Sequence, residues 1–196
     1  MLSDGFHDVP RGKIATIVTD LEMRAPQLRG AKLPEDLAFS PLDPGVPEYR
    51  DLFKRVGQDW LWFGRSLLDD AALDTILRNP DVHIYALEKA GQTEALLELD
   101  FRVEGECELA YFGLTSALIG CGAGAYLMDR AIALAFGGGA KRFHLHTCTL
   151  DSPQALGFYR RSGFEPTRQR IEIADDPRIA HGYDRALGPH IPIFDP

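Results

Sequence analysis

A β-branched run opens the patterned part of the chain. Ile14, Thr16, Ile17, Val18 and Thr19 predict a first strand over residues 13–23. Residues 25–47 hold five prolines and little periodicity, the mark of a long ordered loop or a flexible excursion. Leu52, Phe53, Val56, Trp60 and Phe63 then recur at spacings of three and four, which predicts a helix over 49–65. Acidic residues open a second helix over 69–77, and Asn79-Pro80 ends it. Three short runs at 82–87, 95–103 and 107–114 follow, joined through Gly91 and Glu104-Gly105-Glu106, as antiparallel hairpins require. In the middle run Leu97, Leu99, Phe101 and Val103 alternate with Glu98, Asp100 and Arg102, predicting one face in water.

Beyond residue 114 the pattern changes. A glycine-rich turn leads into a helix over 125–136 with Met128, Ile132 and Ala135 on one face, and Gly137-Gly138-Gly139 stops it. Residues 142–150 read as a strand. Asp151 or Ser152 is expected to cap the next helix, with Pro153 in its first turn and Gly163 at its end. A late strand spans 167–173. The tail from about 175 is irregular, with at most one more strand near Tyr183. The order is strand, two helices, three strands, helix, strand, helix, strand. It predicts one α+β domain over 1–196, with a mixed, mostly antiparallel sheet of six to seven strands flanked by helices.

Composition narrows the function classes. A chain of 196 residues is one domain by default, and 45% hydrophobic with 26% charged residues excludes disordered and fibrous chains. The net charge of −8 offers no basic stripe for phosphates, so no nucleic-acid partner is expected. Cys107, Cys121 and Cys148 have neither disulfide-framework nor zinc spacing. The first 13 residues lack a signal-type apolar core, and the apolar stretch at 114–128 is too short and too rich in glycine to span a bilayer. The expectation is a cytoplasmic protein without a membrane partner.

Candidate chemistry centres on Gly120-Cys121-Gly122-Ala123-Gly124, set between a strand and a helix. Glycines there let backbone approach a ligand, and the free amides of the helix start point at an anion. Gly120, Gly122 and Ala125 also satisfy a G-x-G-x-x-A dinucleotide fingerprint, and the loop has some likeness to the first motif of class I methyltransferases. Both of those motifs need a parallel strand–helix–strand unit, whereas the strands before this loop read as antiparallel.

A second motif lies at a fixed distance from the first. Ser152-Pro153-Gln154-Ala155-Leu156-Gly157-Phe158-Tyr159-Arg160-Arg161-Ser162-Gly163-Phe164 resembles the N-x-x-A-x-x-x-Y-x-x-x-G-F signature of the GNAT superfamily of acyl-CoA-dependent N-acetyltransferases. Ile119 to Gly124 resembles that superfamily's pyrophosphate loop, with Ile119 where Arg or Gln is usual and Ser152 where Asn is usual. The resemblance implies a GNAT fold and acetyl-CoA as cosubstrate, held by Phe112, Leu114, Ile119, Gly120, Cys121, Gly122, Ala123, Gly124, Ala125, Ser152 and Tyr159. It implies transfer of an acetyl group to a primary amine by direct attack in a ternary complex, with a non-catalytic acyl-CoA-binding module as the alternative.

In that frame Tyr159 is the acid for the departing thiolate and Glu108 the base, because an ammonium must lose its proton before it can attack. Trp60, Trp62 and Arg65 would wall the acceptor site, with Glu98 and Asp100 as further acceptor-binding groups. Arg65 is expected to pair with a substrate carboxylate or with Asp69. His144 and His146 share a strand face without further ligands, so no metal is expected, and His146 is a reserve acid–base group. The acidic balance favours a cationic small-molecule or peptide amine as partner. The resemblance also allows a homodimer.

Overall fold

A computed structural model describes residues 3–196. The elements are β1 (Lys13–Met23), β2 (Leu37–Pro41), α1 (Val46–Gly57), a 3-10 turn (Gln58–Trp60), α2 (Asp70–Leu77), β3 (Val82–Lys89), β4 (Gln92–Asp100), β5 (Glu106–Leu114), a second 3-10 turn (Ser116–Leu118), α3 (Ala123–Gly137), β6 (Arg142–Cys148), α4 (Ala155–Arg161), β7 (Glu165–Asp175) and α5 (Pro177–Ala180). All seven strands form one sheet in the order β2-β3-β4-β5-β6-β1-β7. Every neighbouring pair is antiparallel except β5 and β6. The sheet is mixed and mostly antiparallel and is flanked by helices, as the element order predicts.

The β-branched run at 13–23 forms its strand, but far from the elements that follow it in sequence. β1 inserts between β6 and β7, pairing Val18 with Cys148 and Ile17 with Ile171. The chain then returns to the opposite edge of the sheet, where β2 pairs with β3. This return is the proline-rich segment, and it is ordered. The Asp129 carboxylate on α3 accepts from the backbone N–H of Arg29 (3.1 and 3.2 Å) and of Ala31 (2.8 Å). The Arg29 guanidinium donates to Ser162 Oγ at 3.0 Å, just past α4. Prolines supply no backbone donor, and before β2 two of the segment's remaining donors are satisfied on a side-chain carboxylate rather than in a ladder. It also contains β2, which the proline count concealed.

Two apolar layers sandwich the sheet. On one face Leu97, Leu99, Cys107, Leu109 and Phe143 pack against Leu127, Met128, Ala131, Ile132 and Ala135 of α3. On the other, Ile84 and Leu96 pack against Tyr49, Leu52, Phe53 and Val56 of α1 and Leu73 and Leu77 of α2. β4 therefore has no wet face, contrary to its alternation: Glu98 is 0% and Asp100 8% exposed. Each is held by an arginine, Glu98 by Arg65 and Asp100 by Arg102. A buried carboxylate is tolerated only with such a partner.

The C-terminal tail folds back rather than adding a strand near Tyr183. Arg178, 4% exposed, forks onto the Asp176 carboxylate (2.9 and 2.7 Å). Its remaining nitrogen donates to the carbonyls of Leu187, Gly188 and Ile191 at 3.0–3.3 Å. Leu187 and Ile191 thereby cover Ile14, Leu61 and Leu150. Among the described residues no helix is long and apolar enough to cross a membrane.

Candidate active site

The cleft begins at a defect in β5. Glu98 faces Tyr111 and Leu99 faces Leu109, so Ala110 is an extra residue, and such a bulge bends the strand that carries it. On its other side β5 pairs with β6 only over Glu106–Glu108 against Arg142–His144. Past this point the two strands part. The edge of β5 from Leu109 to Leu114 faces a cavity instead of a strand.

One cavity, of about 250 Å³, is lined by Phe112, Gly113 and Leu114 of β5, by Ile119 and Gly124, and by Ser152, Phe158 and Tyr159. Gly120 (φ +82°) and Gly122 (φ +88°) carry the chain through left-handed backbone into α3, and nothing lies within 4 Å of where their side chains would begin. Among the described residues no protein acceptor takes the N–H groups of Gly120, Cys121, Gly122, Ala123 and Gly124. These donors at the start of a 15-residue helix make an anion cradle without a charged side chain. Ile119, 69% exposed, contributes no side-chain donor, so the donors of the loop itself are backbone amides, and Arg161 adds a cation to the lining of the same cavity. The unpaired β5 edge and the open amide loop fit the extended arm and the pyrophosphate of acetyl-CoA. Cys121 is exposed, and its thiol donates to the Leu118 carbonyl at 3.2 Å.

A second cavity, of about 180 Å³, shares Trp60, Trp62, Phe112, Asp151 and Tyr159 with the first and adds Phe63, Tyr111, His146, Cys148 and Glu172. Tyr159 stands on α4 among Phe112, Phe158 and Phe164, with ring centroids 5.6–6.3 Å away. Burial raises its phenol well above the ordinary value and the Asp151 carboxylate adds to the rise. The hydroxyl therefore holds its proton at any working pH.

Both tryptophans line both cavities, and the helix predicted over 49–65 is broken to bring them there. α1 ends at Gly57, and the buried Leu61 adopts left-handed backbone (φ 52°) after the 3-10 turn. This reversal, which costs a non-glycine residue about 1–2 kcal/mol, places Trp60 and Trp62 on the cleft side. The Trp62 indole fills space left by glycines. A Cβ on Gly57 would come within 2.3 Å of its ring, and one on Gly113 within 2.3 Å of Val56 and 3.0 Å of Trp62.

Asp151 was read in the sequence only as a helix cap. It caps nothing, since α4 begins with Gln154 as N-cap and has no side-chain cap bond. Ser152 sits in the same turn, where its hydroxyl accepts a long contact of 3.4 Å from the Gln154 N–H. Asp151 instead turns back to β6. Its Oδ2 accepts from Thr147 Oγ1 (2.6 Å) and the Cys148 N–H (2.9 Å), and its Oδ1 from Trp62 Nε1 (3.1 Å). The local signal was an aspartate just past a strand end, four residues after a threonine, but its tie to Trp62 spans 89 positions.

Three of the expected acceptor-site residues lie elsewhere. Arg65 pairs with Glu98 at 2.6 Å rather than with Asp69, and Tyr49 donates to the same carboxylate at 2.5 Å. Asp69 instead caps α2, accepting from the Ala72 N–H. Burial alone would lower the Arg65 guanidinium, but the Glu98 charge and hydrogen bond hold it above its ordinary value. Arg65, Glu98 and Asp100 line neither cavity. The Arg65–Glu98 pair supports Tyr111 of the second cavity, whose ring Arg65 covers at 5.1 Å and whose phenol burial pushes up to about 12. Glu108 also lies outside both cavities. It lines a third, with His144 and His146, and its carboxylate is 3.8 Å from His146 Nδ1. His146 lines both this cavity and the second one.

The sequence profile of the acetyltransferase (GNAT) family matches residues 48–164. Among solved structures the chain resembles a GCN5-related N-acetyltransferase from Sphaerobacter thermophilus, with 16% identity and a TM-score of 0.61 over 83% of this chain and 52% of that one. It thus spans about half the length of that relative. It also resembles an aminoglycoside acetyltransferase from an uncultured soil metagenomic sample, solved in complex with trehalose (14% identity, TM-score 0.54, 67% of this chain and 90% of that one). A third is a GNAT family acetyltransferase from Elizabethkingia anophelis with acetyl-CoA bound (17% identity, TM-score 0.53, 69% of this chain and 80% of that one). No curated protein matches in sequence.

Proposed function

We propose, from the premise that this chain belongs to the acetyltransferase (GNAT) family, that it transfers an acetyl group from acetyl-CoA to a primary amine by direct attack in a ternary complex. The observation that carries this reading is Tyr159, which lines both the cavity beside the amide loop and the cavity beyond it. When bound, acetyl-CoA supplies the acyl group: a C–N bond forms as the thioester C–S bond breaks, and the ammonium nitrogen gives up two protons, one before attack to a base and one on acylation that makes good the proton taken by the departing sulfur.

The chain's own groups divide that work. The amides of Gly120 to Gly124, with Ala125 and Ser152 flanking them, hold the pyrophosphate. The free edge of Phe112 to Leu114 binds the extended arm as a further strand would. The Leu114 N–H is the candidate polariser of the carbonyl. Tyr159, protonated in the resting site, donates to the departing sulfur and regains its proton from the one that the amine nitrogen sheds on acylation. The ammonium proton leaves through His146, and Glu108 acts as a positioning residue on that imidazole rather than on the amine.

Tyr159→Phe tests the reading. Release of CoA is expected to fall by about 10²–10⁴-fold, while acetyl-CoA affinity, measured by calorimetry, stays unchanged. Undiminished turnover would remove Tyr159 from the chemistry. Tight acetyl-CoA binding without CoA release for any amine would identify a non-catalytic acyl-CoA-binding module. Glu108→Gln combined with His146→Gln should be no slower than His146→Gln alone, because groups acting through one another are not additive.

A further inference from the structure

The acceptor cavity is specific enough to indicate the kind of amine. Resting on the acetyl-transfer reading, we infer that the acceptor is a small primary amine with a flat aromatic body, bound as a monocation by Asp151 at the junction of the two cavities.

The walls are rings: Trp60, Trp62, Phe63, Tyr111, Phe112 and Tyr159 all line the cavity of about 180 Å³. This is below the roughly 300–1,000 Å³ of sites for drug-sized ligands, so the bound portion is small. Two carboxylates, Asp151 and Glu172, line it, and no lysine or arginine does. Aromatic faces and carboxylates together attract an organic cation. An acceptor bearing a carboxylate would meet two like charges, with His146 as the one basic side chain among the described lining residues. A polyhydroxylated amine would leave its hydroxyls unpaired against the rings.

Asp151 can take the ammonium without rearranging. An ionised carboxylate offers about four lone-pair sites, and Trp62, Thr147 and the Cys148 amide occupy three. Those same bonds hold it in place, so little ordering remains to oppose binding. Because Asp151, Trp62 and Tyr159 line both cavities, an ammonium on the free site of Asp151 lies where the two cavities meet. Glu172, exposed on β7, extends the same sign of charge outward.

Both tryptophans of the chain line this cavity, so intrinsic fluorescence reports on it directly. The probes are 2-phenylethylamine, its uncharged isostere 2-phenylethanol, 3-phenylpropanoate, n-butylamine and sisomicin, each titrated into the full chain without acetyl-CoA. We expect 2-phenylethylamine to bind at least about tenfold more tightly than the alcohol or the carboxylate, and more tightly than n-butylamine. Asp151→Asn should erase the difference between amine and alcohol. If that variant does not fold, the wild-type series alone decides, since amine and alcohol share a carbon frame and differ in charge. Equal binding of amine and alcohol, preference for the carboxylate, or tighter binding of sisomicin or n-butylamine would overturn the inference. The acetyl-transfer reading fails separately, if 2-phenylethylamine binds as expected but no CoA thiol is released when acetyl-CoA is present.

Discussion

The sheet has two halves, one on each side of the cleft, and they are held together differently. β2 to β5 are neighbours in both sequence and space, covered on both faces, and their charges are paired internally. Glu98 is the extreme case, fully buried and bound by Arg65 and Tyr49. The half made of β6, β1 and β7 is assembled from opposite ends of the chain. It carries its charges half in water, as in the Glu22–Arg142 pair (2.7 Å), which reaches across to Glu106 at the start of β5 (2.8 Å), and the Arg170–Asp20 pair. The cleft lies where the two constructions meet, because only three residues of β5 pair with β6 before the bulge turns β5 away. The first half supplies rigid walls. The second supplies groups that can exchange protons with solvent.

The sharpest test of this contrast is Arg65→Met. Removing the guanidinium leaves Glu98 buried with only Tyr49, and the loss of stability in denaturant unfolding should be about 3–5 kcal/mol. A loss near zero would mean that this half does not depend on its internal pairing.

The second test concerns the support of the other half. Burial would raise the Asp176 carboxyl, but the Arg178 hydrogen bonds outweigh it and hold the group below its ordinary value. Its contribution is therefore fully present above the ordinary carboxylate value of about 4 and is lost as pH falls through the lower folded value. The stability gap between the wild type and Asp176→Asn should be open at neutral pH and close in acid. A gap independent of pH would mean that the pair is not what holds the tail.

Asp129→Ala tests the strap joining the two halves. Two backbone N–H groups lose a charged acceptor, that of Arg29 shared between both carboxylate oxygens, so a loss of about 1.5–3 kcal/mol is expected, with faster hydrogen exchange at Arg29 and Ala31. Unchanged exchange would show that prolines and packing order the segment unaided. The smallest effect belongs to the half-exposed Glu22–Arg142 pair. Arg142→Met should cost about 0.2–1 kcal/mol, and less as salt is raised. A cost matching that of Arg65→Met would erase the distinction between the halves.

The legibility of the chain follows the same division. The hairpins from β3 to β5, the amide loop and the helix carrying Tyr159 were readable because turn glycines, strand alternation and helix periodicity act over a few residues. The place of β1 was not readable, because a β-branched run specifies a strand but not its neighbours. β2 was hidden because proline content marks loops and edge strands alike.

The candidate site divides in the same way. Ile119 to Gly124 and Tyr159 were visible as motifs, and the structure brings Ile119, Gly124 and Tyr159 to one cavity, along with Trp60 and Trp62. Glu98 and Asp100 looked solvated because alternation records polarity and says nothing of the arginines that permit burial. Glu108 looked like a base by position, and its distance from the cavities appears only once β6 places His146 between them. Asp151 looked like a cap because an aspartate before a helix usually is one.

The sequence by itself thus determined most of the elements, the glycine loop before α3 and the place of Tyr159 on its helix, since each is written in short-range spacing. The tertiary structure decided which strands flank the cleft, which carboxylates are buried and which one lines both cavities. Those outcomes depend on contacts between residues tens to more than a hundred positions apart, and the free energy of burying a charge is set by what surrounds it rather than by its neighbours along the chain.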